Sequence, residues 1–186
     1  LNAASFEHHI DKEAVLMQLH SCKESLVACN KIAIKTSQQV EAVIKEIENK
    51  GIQKDNHGRA LNPFPHIIDL DLNCGTFLIQ ANRAVKLICE LPSMFFSLSR
   101  KDSNFDHLLK KLKNETKENQ ELINFVEENA ESVRYLIELR NSHEHPKTEK
   151  ETKISNFTLT PDAKIQLPIW QLTGEAPGLI HEEMAA

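Results

Sequence analysis

The sequence predicts a mainly α-helical protein: an up-and-down bundle of four to five helices, with a very long first helix and a small C-terminal β-hairpin. Three observations predict it. Residues 5 to 50 contain neither Gly nor Pro. Apolar residues recur at alternating spacings of three and four through most of the chain up to Arg140, the period of one helix face. Glycine (five residues) and aromatics (5%) are scarce in the 186 residues. A β-sandwich or a dinucleotide-binding sheet would use more of both in its strands and turns.

The first element follows from residues 5 to 50. Leu19, Leu26, Ala33, Val40 and Ile47 form one heptad register, and Val15, Cys22, Cys29, Thr36 and Val43 form the other. Both fall on one narrow stripe suited to packing against partner helices, within the chain or across a dimer. The segment reads as one very long helix or two collinear ones, with Gly51 as the C-cap. Gly58, Pro63 and Pro65 then mark an irregular stretch over residues 51 to 71 that carries His57, Arg59 and His66. A loop that long is functional or mobile more often than a short one, but exposed polar residues in a crossover are the simpler reading.

A second block keeps the four-three spacing through Leu70, Cys74, Phe77, Ala81, Ala84, Ile88, Leu91, Phe95 and Leu98. Pro92 should kink it or open a new helix. Asp102, Ser103 and Asn104, with Asp106 after them, supply an N-cap for a short helix carrying Phe105, Leu108, Leu109 and Leu112. The next block starts near Thr116. It places Leu122, Phe125, Val126, Val133, Leu136, Ile137 and Arg140 on one face, so the pattern that buries the leucines carries Arg140 inward. Pro146 ends this helix between Asn141 and His145. Residues 1 to 146 are therefore expected to form the bundle. Residues 147 to 186 should add a charged linker (Lys147 to Lys153), a hairpin and a tail. Extended segments at Ile154 to Thr160 and Ile165 to Gln171 flank a turn signal at Thr160-Pro161-Asp162-Ala163. Pro168 suggests an edge ribbon, Trp170 an anchor to the bundle, and Glu182-Glu183 a surface position.

The net charge of −5 excludes coating with nucleic acid through bulk electrostatics. A local patch of Arg100, Lys101, Lys110, Lys111, Lys113 and Lys117 is diluted by Asp102, Asp106, Glu115 and Glu118. No apolar run approaches the roughly 20 residues of a membrane span, and no secretory pattern opens the sequence. Four cysteines, none in a Cys-x-x-Cys pair, read as reduced core residues. A cytoplasmic protein with no membrane partner and no cofactor is expected.

The one stretch that looks like chemistry is Leu139-Arg140-Asn141-Ser142-His143-Glu144-His145-Pro146. An inward Arg requires a partner: a carboxylate of its own chain, a neighbouring subunit, or an anionic ligand. A guanidinium fork suits phosphate. A nearby His is the other half of a metal-free ribonuclease, a base for the 2′-hydroxyl or an acid for the leaving oxygen, while the Arg stabilises the phosphorane-like charge. The helix C-terminus opposes this, because its partial negative charge repels phosphate. His143 and His145 as metal ligands lack a third ligand at a recognisable spacing. His8-His9 reads as solvent-facing.

These residues resemble the Arg-x(4–6)-His signature of the HEPN superfamily, in which a polar residue, often Asn, follows the Arg. The resemblance implies a bundle of four or five helices with the signature late in the chain. It also implies metal-independent endoribonuclease activity at a site formed between two protomers, as in toxin–antitoxin and defence proteins. Arg140 would then bind phosphate, Asn141 would assist, and His145 would be the acid/base, with His143 beside the substrate. A homodimer, an RNA substrate and a cognate antitoxin are the partners implied. The alternative is a non-catalytic dimerisation or interaction bundle, in which a carboxylate neutralises Arg140 and no open cleft adjoins it.

Overall fold

The computed structural model describes residues 10–52, 57–58, 64–96, 104–115, 119–147, 149–162 and 164–185. Expectations placed on His8-His9, Arg59, Pro63, Leu98, Arg100, Lys101, Asp102, Ser103, Thr116, Lys117, Glu118 and Ala163 lie outside them. The protein is mainly helical, with α1 (Lys12–Lys50), α2 (Leu70–Glu90), α3 (Phe105–Glu115), α4 (Gln120–Glu144) and a short α5 (Ile180–Glu183). No helix among the described residues is long and apolar enough to cross a membrane.

α1 is one uninterrupted helix of 39 residues. Asp11 starts it, its Oδ1 accepting the Ala14 N–H at 3.0 Å. Gly51 ends it at φ 66°, its N–H donating to the Ile47 carbonyl at 2.8 Å. The second heptad register is buried throughout, but the first is not. Ala33, Val40 and Ile47 are buried, whereas Leu19 and Leu26 are about half exposed, and Ser25 is buried beside them. A straight α-helix slips by about 20° per heptad against a seven-residue repeat. The buried stripe therefore passes from one heptad position to the next along a helix this long.

Contacts divide the chain into two compact units, Leu1–Ala28 with Leu78–Glu138 and Cys29–Phe77 with Leu139–Ala186. In the first unit, Val85 and Cys89 of α2, Phe105, Leu108 and Leu112 of α3, and Ile123, Val126 and Ala130 of α4 form one apolar core. Asn104 caps α3, its Oδ1 accepting the His107 N–H at 2.9 Å. Asp106, expected in a capping box, is instead gripped by Arg134 through Nε at 3.1 Å and Nη2 at 2.7 Å. This holds its carboxyl below the usual range. α2 stops before Pro92, which sits in the first turn of a 3-10 segment, Leu91–Met94. Phe125, expected on the buried face of α4, is 53% exposed and tilts against Phe105 at 6.4 Å.

In the second unit, the chain after α4 turns back tightly: Lys147 and Lys150 exchange backbone hydrogen bonds. β1 (Thr152–Ser155) and β2 (Thr158–Leu159) then run antiparallel to β4 (Ile169–Leu172) and β3 (Ile165–Gln166). Thr152 faces Leu172 and Ser155 faces Ile169 before the break. After it, Thr158 faces Gln166. The offset is unchanged, so the two ladders are one hairpin, interrupted where Pro168 has no N–H to give. The expected edge ribbon is corrected here. β4 is the central strand, flanked by β1 and by β5 (Gly178–Leu179), and Pro168 is buried. Trp170 packs against Phe77 of α2 at 6.1 Å between ring centroids. Glu183, expected on the surface, accepts a hydrogen bond from the Trp170 indole N–H.

Candidate functional site at the end of α4

Backbone bonding carries α4 to its final turn, the His145 N–H reaching the Asn141 carbonyl at 2.9 Å. Helical geometry alone thus gathers Arg140, Asn141, His143, Glu144 and His145 within one and a half turns. The apolar face of Ile123, Val126 and Ala130, continued at the same spacing, leads to Arg140 and then Glu144. Burial does not follow that line. In the last turns the buried residues are Leu139 and Ser142, which lie on another side of the helix. Thr152 of β1 fixes this arrangement by donating to the Leu139 carbonyl at 2.9 Å. Arg140 is therefore not fully drawn inward: its side chain is 25% exposed.

The guanidinium is held by its own helix. Nη2 pairs with a carboxylate oxygen of Glu144, one turn on. Nη1 donates to the Asn141 side-chain oxygen at 3.0 Å. Nε is buried and has no hydrogen-bond acceptor among the described residues. Arg140 thus meets a carboxylate of its own chain, the feature expected of a non-catalytic bundle, while remaining within reach of solvent.

The two imidazoles differ. His145, just beyond the helix, is 75% exposed, and its Nε2 lies 4.0 Å from the Glu144 carboxylate. His143 is 22% exposed and turned toward α2, with Nε2 3.4 Å from Asp71 Oδ1. Gly75 of α2 makes room for this ring. A Cβ added there would sit 2.9 Å from His143 Cε1, closer than carbon atoms pack comfortably. Asp71 and Gly75 were not read from the sequence as belonging to this site. Their separation from His143 leaves no local pattern to find.

The four cysteines are free and buried. Burial, with the nearby Asp71 charge, pushes the Cys74 thiol up to about 12, so it is no nucleophile near neutral pH. Among the described residues, no three of His, Cys, Asp and Glu come together in a way that could hold a metal ion. Of the basic run, Lys113 pairs with Glu127 at 2.7 Å on the surface. The arrangement offers one guanidinium, one solvent-facing imidazole and one amide within one and a half turns, with a carboxylate among them. Comparison with protein-family models, with curated proteins and with solved structures finds no match.

Proposed function

We propose that the protein is a metal-independent endoribonuclease of the HEPN type, with its site at the end of α4. The observation that carries the proposal is the grouping of Arg140, Asn141 and His145 within one and a half turns at the end of α4, with the Arg140 side chain 25% exposed and its buried Nε without an acceptor among the described residues. Arg140 binds the scissile phosphate, Asn141 orients the guanidinium, and His145 exchanges the proton. A single site has one strong cation at a helix end whose dipole repels phosphate. A second Arg140 from a partner copy supplies the missing charge, so the active form is a homodimer, and control by an antitoxin fits a nuclease of this kind. The test is cleavage of single-stranded RNA in EDTA. Activity should persist in the chelator and disappear in Arg140→Ala and His145→Ala at unchanged stability. Cleavage that requires a divalent metal, or that survives both substitutions, refutes the proposal.

A second reading is favoured by a different observation. Leu16, Met17, Leu19, Leu26 and Ile34 of α1 are 46–63% exposed, apolar side chains of the kind a partner surface covers. On this reading the protein is a non-catalytic interaction bundle, and the Arg140–Glu144 pair is structural. Loss of self-association in Leu19→Glu/Leu26→Glu, with no RNA cleavage by the wild type, would support it.

A further inference from the structure

Glu144 is an odd residue for its position. It lies in the last turn of α4, where the helix dipole disfavours a negative charge. Its order relative to Arg140, cation first and carboxylate four residues later, is the weaker of the two orders for such a pair. Yet it occupies the guanidinium at Nη2, one of the terminal nitrogens through which an Arg fork grips a phosphate oxygen. Asn141 takes Nη1 from the other side. Buried Nε keeps its N–H unused, so the fork is loaded at its tips and unfilled at its base. Arg140 and Glu144 are equally accessible, at 25% and 24%. Solvent, and a ligand arriving through it, reaches both partners of the pair.

From this we infer that Glu144 is an intramolecular plug: its carboxylate holds the place of a phosphodiester on Arg140 and must swing away before RNA binds. The inference rests on reading Arg140 as an anion site. Occupation by the tethered carboxylate stands in competition with the ligand, so the apparent affinity for phosphate is reduced by the fraction of molecules in the paired state. The dipole and the unfavourable order keep that pair weak enough to open. The exposed His145 imidazole, 4.0 Å from the same carboxylate, provides a second place for Glu144 once displaced.

The test measures binding of a fluorescent single-stranded RNA oligonucleotide to wild type, Glu144→Gln, Arg140→Ala and Arg140→Ala/Glu144→Gln. Inorganic phosphate serves as competitor, and Glu128→Gln controls for net charge. Glu144→Gln should bind RNA about tenfold tighter, as expected if roughly nine-tenths of the molecules are plugged. The gain should vanish in the double variant and be absent in Glu128→Gln. Phosphate should compete at lower concentration against Glu144→Gln than against wild type if the plug holds a phosphate place. Arg140-dependent binding that Glu144→Gln leaves unchanged overturns the plug alone. A gain that persists without Arg140, or that Glu128→Gln reproduces, overturns it as a mere charge effect. Binding indifferent to Arg140 in every variant overturns the anion site itself.

Discussion

The C-terminal latch gives the sharpest stability prediction. Ile180 and Met184 are buried, and between them Glu183 turns back to accept the Trp170 indole N–H. Its carboxylate lies over Gly178, where an added Cβ would occupy the same space. Gly178→Ala must therefore displace the Glu183 carboxylate, which takes the acceptor away from the indole N–H of a 2% exposed Trp170. An unsatisfied buried donor costs about 1–3 kcal/mol. The smaller unfolded-state entropy of Ala returns about 0.4–1 kcal/mol. The net loss should be up to about 2.5 kcal/mol, or about 2–4 °C in Tm for each kcal/mol in a chain of this size. Trp170 is the only tryptophan, so its fluorescence during urea unfolding reads the result directly. In Glu183→Ala the carboxylate is already gone, and adding Gly178→Ala should be neutral or slightly stabilising. Equal losses in both backgrounds would refute the close packing of Gly178 under Glu183.

Other parts of the fold give independent tests. Asn156 clamps Ile67, accepting its N–H at 2.9 Å and donating to its carbonyl at 2.8 Å. With Ile67 at 2% exposure, Asn156→Ala should cost about 1–3 kcal/mol in urea unfolding, and a loss below about 0.5 would contradict the clamp. Arg134 depresses the Asp106 carboxyl in the folded state. Between the folded and unfolded values the unfolded chain binds more protons, so this contribution is present above the ordinary carboxylate range and lost as pH falls through the depressed value. Asp106→Asn should accordingly lie below wild type in stability at neutral pH, and the gap should close in acid; a gap that widens in acid would be the wrong sign. Cys74 is fully buried, with its thiol at about 12. In thiol labelling of the native protein it should react only on unfolding, and fast labelling at neutral pH would contradict its placement.

How much of this could be read in the sequence depended on range. The long first helix, its Gly51 cap and the buried second heptad register are local properties, and they appear where the spacing put them. Leu19 and Leu26 fall outside the buried stripe because a straight helix slips against a seven-residue repeat. Asp11 was an N-cap residue hidden inside a run read as helix from residue 5. The hairpin was legible from its turn and alternating strands, but β5 and α5 were not. Two strand residues and four helical ones carry no periodicity, and the Glu183–Trp170 bond that holds them is tertiary. At the site, Arg140, Asn141 and His145 were legible as a motif. Asp71 and Gly75 were not, since they meet His143 only through the docking of α2 beside α4. The face shared by Leu122, Val126, Val133 and Ile137 leads to Arg140, but burial leaves it in the last turns, where Leu139 and Ser142 take over.

That change of face leads to a last prediction, on Glu144 itself. Two roles for the Arg140–Glu144 pair differ in what the pair contributes to folding. A structural pair in a partly buried setting would carry charge-assisted hydrogen bonds of about 1.5–3 kcal/mol, and Glu144→Gln would lose much of that. In a pair kept for binding, the helix end works against the carboxylate by about 0.3–1 kcal/mol. An i,i+4 pair returns only about 0.3–0.5 kcal/mol, less in this order. Glu144→Gln should then leave stability within about 0.5 kcal/mol of wild type, on the stabilising side, and the difference should shrink as salt screens the dipole. Urea unfolding at low and high ionic strength measures both quantities. A loss above about 1 kcal/mol would make Glu144 a brace for the helix end, and the carboxylate could no longer be read as a removable occupant of the arginine fork.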